Sequence, residues 1–316
     1  MPKSSRRKRW PAHPKADTIS AKLICPLCWT LPTVAFYWRM TVSGRSFIRC
    51  RSGSFVSGGS HCPISIRRAL RDKRRMISLH PIADPAGAMR RSPMLRAVCL
   101  TLNYIAEHGP IGLTATGALK RYIVEWAVDA FDWPLYTAAD LYAVNKVLNE
   151  GDFPPLAIMH DVLLSAKLAR HKKGALHITR LAGKLRSDPA ALWALLARQF
   201  LFATDHIGYT RFGDRPIGNW DIFLNVINVE AQQGVSEDWL CHLLYAPGKT
   251  DGQHDDIRIK AALFIHVLRP LCWMGLLEEV RSGAGFKREE HYFKTEIWRE
   301  VFKLDTDIHL DPVTHH

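Results

Sequence analysis

The sequence predicts a mainly α-helical fold, in which two related helical modules, each carrying a short β-hairpin, follow a basic and largely disordered N-terminal arm. Three observations carry this expectation. Charge divides the chain: residues 1–93 hold 19 Lys+Arg against 3 Asp+Glu, and residues 94–316 hold 24 against 27. Apolar residues recur at helical spacing only from Met94 onward. A helix, strand, turn, strand, helix pattern then occurs twice.

The charge division decides how the composition is read. A net charge of +13 and a pI near 9.6 would by themselves mark a nucleic-acid-binding protein, but the excess belongs to the arm and the foldable body is slightly acidic. With 316 residues, 47% of them hydrophobic, the body can bury a sizeable core. Seven cysteines form no paired framework in the body, and Cys99, Cys241 and Cys272 sit in apolar helical patterns, as expected in a reducing, cytoplasmic setting. The longest apolar stretch, 261–277, is interrupted by His266, Arg269 and Pro270, so no membrane span is expected. No apolar segment follows the basic start as a secretory signal would require, and Pro11 and Pro14 break any amphipathic transit helix.

Within the arm, Cys25-Pro26-Leu27-Cys28 with Cys50 and Cys62 offers four thiolates for a zinc ion. The wide spacing of Cys50 and Cys62 departs from the tight second pair of a zinc ribbon, so unliganded thiols are the competing reading. Arg6 to Arg9 and the run at 67–75 could bind nucleic acid through charge density alone. A solvated basic tail is the alternative. A third reading is a mis-assigned start, with the natural one at Met76, Met89 or Met94.

In the body, Leu95, Val98, Cys99, Leu102 and Ile105 mark a helix ended by His108-Gly109-Pro110. Residues 111–114 follow as a short strand, and Thr116 is expected to cap a helix carrying Leu119, Tyr122, Ile123, Trp126 and Ala130. Thr137 caps a helix over 137–148. Pro154-Pro155 opens another through Leu168, then a basic turn at 170–174, a strand at 175–179, and a helix capped by Thr179. The pattern recurs with a helix over 256–273, a strand at 275–280, a turn at 281–289, a return strand at 290–295 and a helix begun by Thr295. Helix, hairpin and closing helix form the wing half of a winged-helix unit. The expected organisation is an arm (1–93), a first winged-helix-like module (94–205), a linker loop (206–220), a second module (221–304) and a tail (305–316).

The run 113–120 (Leu-Thr-Ala-Thr-Gly-Ala-Leu-Lys), with Leu176-His177-Ile178-Thr179 and Asp188-Pro189-Ala190-Ala191-Leu192-Trp193, resembles the uncharacterised bacterial helical domain attached to plasmid-borne open-reading-frame-three-like proteins. The resemblance covers about residues 95–200, implies a bacterial cytoplasmic protein, and brings no catalytic residue.

Nucleic-acid association would use Lys167, Arg170, His171, Lys172 and Lys173 around the first hairpin turn. A solvated turn in a structural module is the competing account. The second module's pre-hairpin helix is apolar nearly all round and cannot read a groove; it calls for cover by protein. In the linker, Arg211, Asp214, Arg215, Asn219 and Trp220 combine fork donors with a stacking face, the mixture of a ligand or partner site, or of an ordered linker. No catalytic motif is present, so no enzyme activity and no cofactor are expected, zinc in the arm aside. The expectation is a binding protein, with weak electrostatic nucleic-acid association leading and a protein-interaction or self-association module as the alternative.

Overall fold

A computed structural model of the chain describes residues 38–42, 45–49, 55–57, 77–210, 213–216, 218–245, 253–283 and 289–310. Cys25, Cys28, Cys50, Cys62 and Arg211 lie outside these residues. Strands β1 (Trp38–Val42), β2 (Arg45–Arg49) and β3 (Phe55–Ser57) form an antiparallel sheet in that order. Within the span read as the arm, residues 38–42, 45–49, 55–57 and 77–93 are thus among those described. Helix α1 (Pro85–Arg91) and the preceding segment are also tied into the body: His80 N–H donates to Val301 O at 2.9 Å, and Arg91 pairs with Glu296 at 2.6 Å.

The first module opens with α2 (Pro93–His108), whose cap is Ser92: its hydroxyl accepts from Leu95 N–H at 3.2 Å. Gly109, at φ +83°, ends the helix in a region that L side chains avoid. After β4 (Ile111–Gly112) comes α3 (Arg121–Phe131). The expected cap Thr116 is not its cap. Thr116 instead meets Thr114 hydroxyl to hydroxyl at 2.9 Å in a turn, and the helix starts behind Lys120 without a side-chain cap bond. Helix α4 (Ala138–Val144) is capped by Thr137 as expected but ends four residues sooner than the sequence suggested. Helix α5 (Pro154–Ser165) then leads into β5 (Ala169–Lys172) and β6 (Ala175–Ile178). The two-residue turn between them, Lys173 and Gly174, has φ of +51° and +70°, the left-handed pair that matches strand twist in tight hairpins. Thr179 caps α6 (Arg180–Leu185), and Asp188 caps α7 (Pro189–Ala197), which widens into a π-helical segment, Arg198–Ala203.

The second module repeats the order. Helix α8 (Trp220–Glu230) is followed by β7 (Val235–Ser236), α9 (Glu237–Tyr245) and α10 (Gln253–Leu263). A π-helical segment, Phe264–Leu268, continues α10 into α11 (Arg269–Trp273). Strands β8 (Leu277–Ser282) and β9 (Glu289–Lys294) and helix α12 (Glu296–Val301) complete it. Arg281 lies in β8 and not in the turn. Thr295 does not cap α12 with its side chain; its hydroxyl donates to Gly275 O at 2.6 Å. The expected tail begins with a 3₁₀ turn, Asp305–His309, pinned to α8 because Asn228 Nδ2–H donates to Asp307 at 2.8 Å and Thr306 N–H donates to Asn225 Oδ1 at 3.1 Å. The strand orders β4-β6-β5 and β7-β9-β8 are the same, each short first strand pairing with the last strand of its hairpin.

One buried cluster runs from Ile82 to Phe302 through both modules. Its seam is the turn after α11. Trp193, fully buried, donates its indole N–H to Met274 O at 2.9 Å, and the Ser92 hydroxyl donates to Trp273 O at 3.2 Å. Gly275, at φ +75°, lies so close to the α1–α2 junction that a Cβ there would sit 2.7 Å from the Arg91 carbonyl carbon. Backbone cannot retreat as a flexible side chain can. Gly275→Ala is therefore expected to cost about 3 kcal/mol, from steric overlap and left-handed strain together, read as a lowered urea midpoint. A variant as stable as the parent would show that the seam tolerates separation.

Candidate functional site

The first hairpin exposes Lys167, Arg170, His171, Lys172 and Lys173, all five named by the sequence. None of its four Lys and Arg side chains has an ion-pair partner among the described residues. Lys120 joins them: its stem lies against Gly112, where a Cβ would be 3.0 Å from Lys120 Cδ, and Gly112 pairs with Ala175, itself opposite Lys172. The absence of a side chain at Gly112 lets the lysine cross the sheet edge. The strands β4, β5 and β6 contain no Asp or Glu. The result is a strip of unneutralised positive charge on a body that is otherwise slightly acidic.

Behind the strip lies a chain of polar contacts that sequence reasoning missed. Glu150 and His160 are buried, and His160 Nδ1 is 2.6 Å from Glu150 Oε1 while Leu119 N–H donates to Glu150 Oε2 at 2.6 Å. His160 Nε2 is 2.9 Å from Nε2 of His171. An ionised Glu150 makes Nδ1 the protonated nitrogen of His160, which leaves its Nε2 to face the exposed histidine. The available signal was His160 itself, a polar residue amid Ile158, Met159, Val162 and Leu163, since a buried imidazole requires a partner.

The linker residues meet at a second place. A cavity of about 410 Å³ is lined by His206, Arg215, Asn219, Trp220, Phe223 and His266 among others. Residues of both π-helical segments reach its wall, among them Phe202 and Val267. Asp214 is drawn away: it holds Arg258 through two contacts of 2.8 Å, which keeps its carboxyl below the usual range. Asn219 spends its oxygen capping α8, accepting from Ile222 N–H at 3.0 Å. Asp205 accepts from Ile207 N–H and from Arg215, and both contacts lower its pKa. His206 donates from Nε2 to Phe200 O at 2.7 Å, so its buried Nδ1 is an acceptor without a partner among the described residues. Burial pushes its pKa down to about 4. His266, half-buried, likewise donates to Asp214 O and is lowered mainly by desolvation. Nearby, Arg269 is 8% exposed, stacks over Tyr209 and Trp273, and its Nε and Nη2 have no hydrogen-bond partner among the described residues; burial lowers its pKa to about 10. No group of three His, Cys, Asp or Glu side chains among the described residues is placed to hold a metal ion.

The second hairpin has no net charge: over residues 277–294 Glu278, Glu279, Glu289 and Glu290 match Arg281, Lys287, Arg288 and Lys294. Its strands β8 and β9 hold the four glutamates against Arg281 and Lys294, and Arg281 is paired to Glu279. Beside it, Glu237 is pushed up to about 7 by burial and then by Glu290. The end of α10, helix α11 and the segment between them bury Leu263, Val267, Leu268 and Leu271, as the apolar pattern required. No helix among the described residues is long and apolar enough to cross a membrane.

Comparison with known proteins matches residues 90–191 to the family described as Y4jL N-terminal domain and residues 210–296 to the y4jL C-terminal domain. The curated "Uncharacterized protein y4jL" of Sinorhizobium fredii (strain NBRC 101917 / NGR234) is 43% identical over 155 residues, 49% of this chain and 70% of that protein. No solved structure matches. The resemblance to the open-reading-frame-three-like domain is thereby corrected. Its short motifs are a helix cap, a strand end and a turn, which unrelated helical domains share.

His206 has a consequence for stability. Its folded pKa of about 4 lies below the ordinary 6.5, so the unfolded chain binds the proton first. The stability it confers is complete above pH 6.5 and lost as pH falls toward 4, by up to about 3 kcal/mol. Glu237 works in the reverse direction, losing its contribution as pH rises from 4.5 through about 7. The difference between parent and His206→Gln, whose side-chain amide nitrogen takes the place of Nε2 beside the Phe200 carbonyl, isolates the histidine. Denaturant titrations should show that difference shrinking as pH falls toward 4; a constant difference would mean that His206 titrates normally in the fold.

Proposed function

Because the chain belongs to the family built of the Y4jL N-terminal and C-terminal domains, whose matched relative is bacterial, we propose that it acts by binding and not by catalysis, associating with nucleic acid through the first hairpin. The observation that carries this reading is the strip of Lys120, Lys167, Arg170, Lys172 and Lys173, exposed and without acidic neighbours on its sheet. Both modules are read as winged-helix-like. The shared strand order and the leading helices α2 and α8 support that reading. The helix before the first hairpin, α5, contains no Lys or Arg and buries Leu156, Ile158, Met159, Val162 and Leu163. A helix so covered has no polar face for base edges. Recognition is therefore of phosphates and independent of sequence. A bacterial cytoplasmic setting fits such a partner, and no cofactor is needed for it.

The second module supports a different reading for its own surface. In the register of β8 and β9, Glu278 faces Phe293 and Val280 faces His291, and this outer face leaves Val280 44% and Phe293 36% exposed. A hairpin with no net charge, glutamates on its strands and exposed apolar side chains suits a protein or a second copy of the chain better than DNA.

Salt separates the two. Each phosphate neutralised contributes a slope of about −0.9 in log affinity against log salt, so four hairpin cations should weaken binding about 100-fold between about 50 and 200 mM salt. Lys172→Glu combined with Lys173→Glu should weaken binding of the full chain to oligonucleotide by at least about tenfold and flatten the slope. Gel shift or fluorescence anisotropy reads both. Unchanged affinity in the double variant would move any nucleic-acid contact away from the hairpin.

A further inference from the structure

We propose that a phosphate oxygen of the bound strand accepts a hydrogen bond from Nδ1 of His171, and that this contact requires one additional proton held jointly by His171 and His160. The inference rests on the nucleic-acid reading above and adds a specific subsite to it. It follows from counting hydrogens. His160 Nδ1–H is committed to Glu150 at 2.6 Å, and the 2.9 Å between the two Nε2 atoms has room for a single hydrogen. With Nδ1 of His171 bare, the pair holds two ring hydrogens: one toward Glu150 and one shared. With Nδ1 of His171 able to donate, the pair holds three. The third is gained whichever ring carries the shared hydrogen, so docking of a phosphate selects the form with one more proton.

The surroundings suit that form. The extra positive charge is shared with His160, next to the buried Glu150 carboxylate, and so lies partly away from the cations of the strip. The groups around His171 are Glu150 from the 3₁₀ turn at 150–152, His160 from α5, Arg170, Lys172 and Lys173 from its own hairpin, and Lys120 from the start of α3. His177 on β6 is opposite Arg170, and Leu176 is opposite His171. Asp161, the acid next to His160 in sequence, is engaged by the Tyr209 hydroxyl at 2.8 Å. Glu150 is thus the one carboxylate in contact with the histidine pair among the described residues. Nδ1 of His171 has no protein partner there, and Gly117 lies beside the ring, where a Cβ would be 3.9 Å from Nδ1. A glycine at that place leaves room for a phosphate oxygen. Glu150 and His160 act here as positioning residues, which fix where the shared hydrogen lies and touch no ligand.

The test is the pH dependence of binding of fluorescein-labelled oligothymidylate to the full chain at fixed low salt, from about pH 5.5 to about 8.5, a range that brackets histidine titration; Lys294, lowered to about 8 by burial, and Glu237, raised to about 7, also titrate within it, in parent and His171→Gln alike. The expected result is a dissociation constant that rises with pH, with a limiting slope approaching tenfold per unit, and that levels off once the pair has lost the proton. His171→Gln, on an exposed strand position, should match the parent at the high-pH end, bind more weakly at the low end, and show no His171-dependent slope. Glu150→Gln should move the pH midpoint of binding, which a purely structural role would not. His177→Gln should leave the profile as it is. Salt-sensitive binding with the same pH profile in parent and His171→Gln would overturn this inference and leave the nucleic-acid reading standing. No binding at any pH at low salt would overturn that reading as well. Should Glu150→Gln fail to fold, the comparison of His171→Gln with His177→Gln decides the question alone.

Discussion

The turn at Trp273–Gly275 holds the two modules together. Its three carbonyls each accept a hydrogen bond from a different part of the chain: Ser92 to Trp273, Trp193 to Met274, Thr295 to Gly275. Two of these donors belong to the first module and one to the second. Gly275 has no side chain, and for that reason the α1–α2 junction can approach its backbone closely. Buried carbonyls left without donors would be costly, so the three contacts make separation of the modules unfavourable in addition to the apolar area lost. Around them Trp133, Trp273 and Phe200 pack ring against ring. Both hairpins depend on this seam, since α5 and α11, which precede them, are packed into the same core.

A repeated topology with different surface charge follows from that arrangement. Strand pairing, turn and leading helix are set by backbone and by apolar residues, which both modules share in pattern. The outward positions of the hairpins carry no such constraint. In the first they hold Arg170 and Lys172; in the second Glu278 and Val280. One scaffold thus presents a cationic hairpin and one of balanced charge with exposed apolar side chains, and the division of roles proposed for them rests on surface chemistry alone.

The sequence revealed whatever was local. Thr137 and Thr179 cap helices, Pro154 opens one, and Lys173-Gly174 turns a hairpin, because each effect acts within a few residues. The same residue type misled where a tertiary partner competed: Thr116 bonds within its own turn, and Thr295 turns its hydroxyl to the Gly275 carbonyl. The exposed cations of the first hairpin were legible because charge on a tight turn has few places to go but solvent. Arg215, Asn219 and Trp220 were legible as a group, but the histidines that complete their cavity were not. His206 and His266 come from segments about sixty residues apart, each next to or within a π-helical stretch, and neither distance nor helix widening is written in a local pattern. Glu150, His160 and His171 belong to three elements and meet only after folding.

In the function proposed, phosphates are met at the first hairpin and not at its counterpart. Hydrogen-exchange mass spectrometry of the full chain with and without oligothymidylate measures this directly. Protection on binding should be found at residues 167–178 and around Lys120, with 277–294 unchanged. Protection at 277–294, or confined to the basic residues before 77, would contradict it.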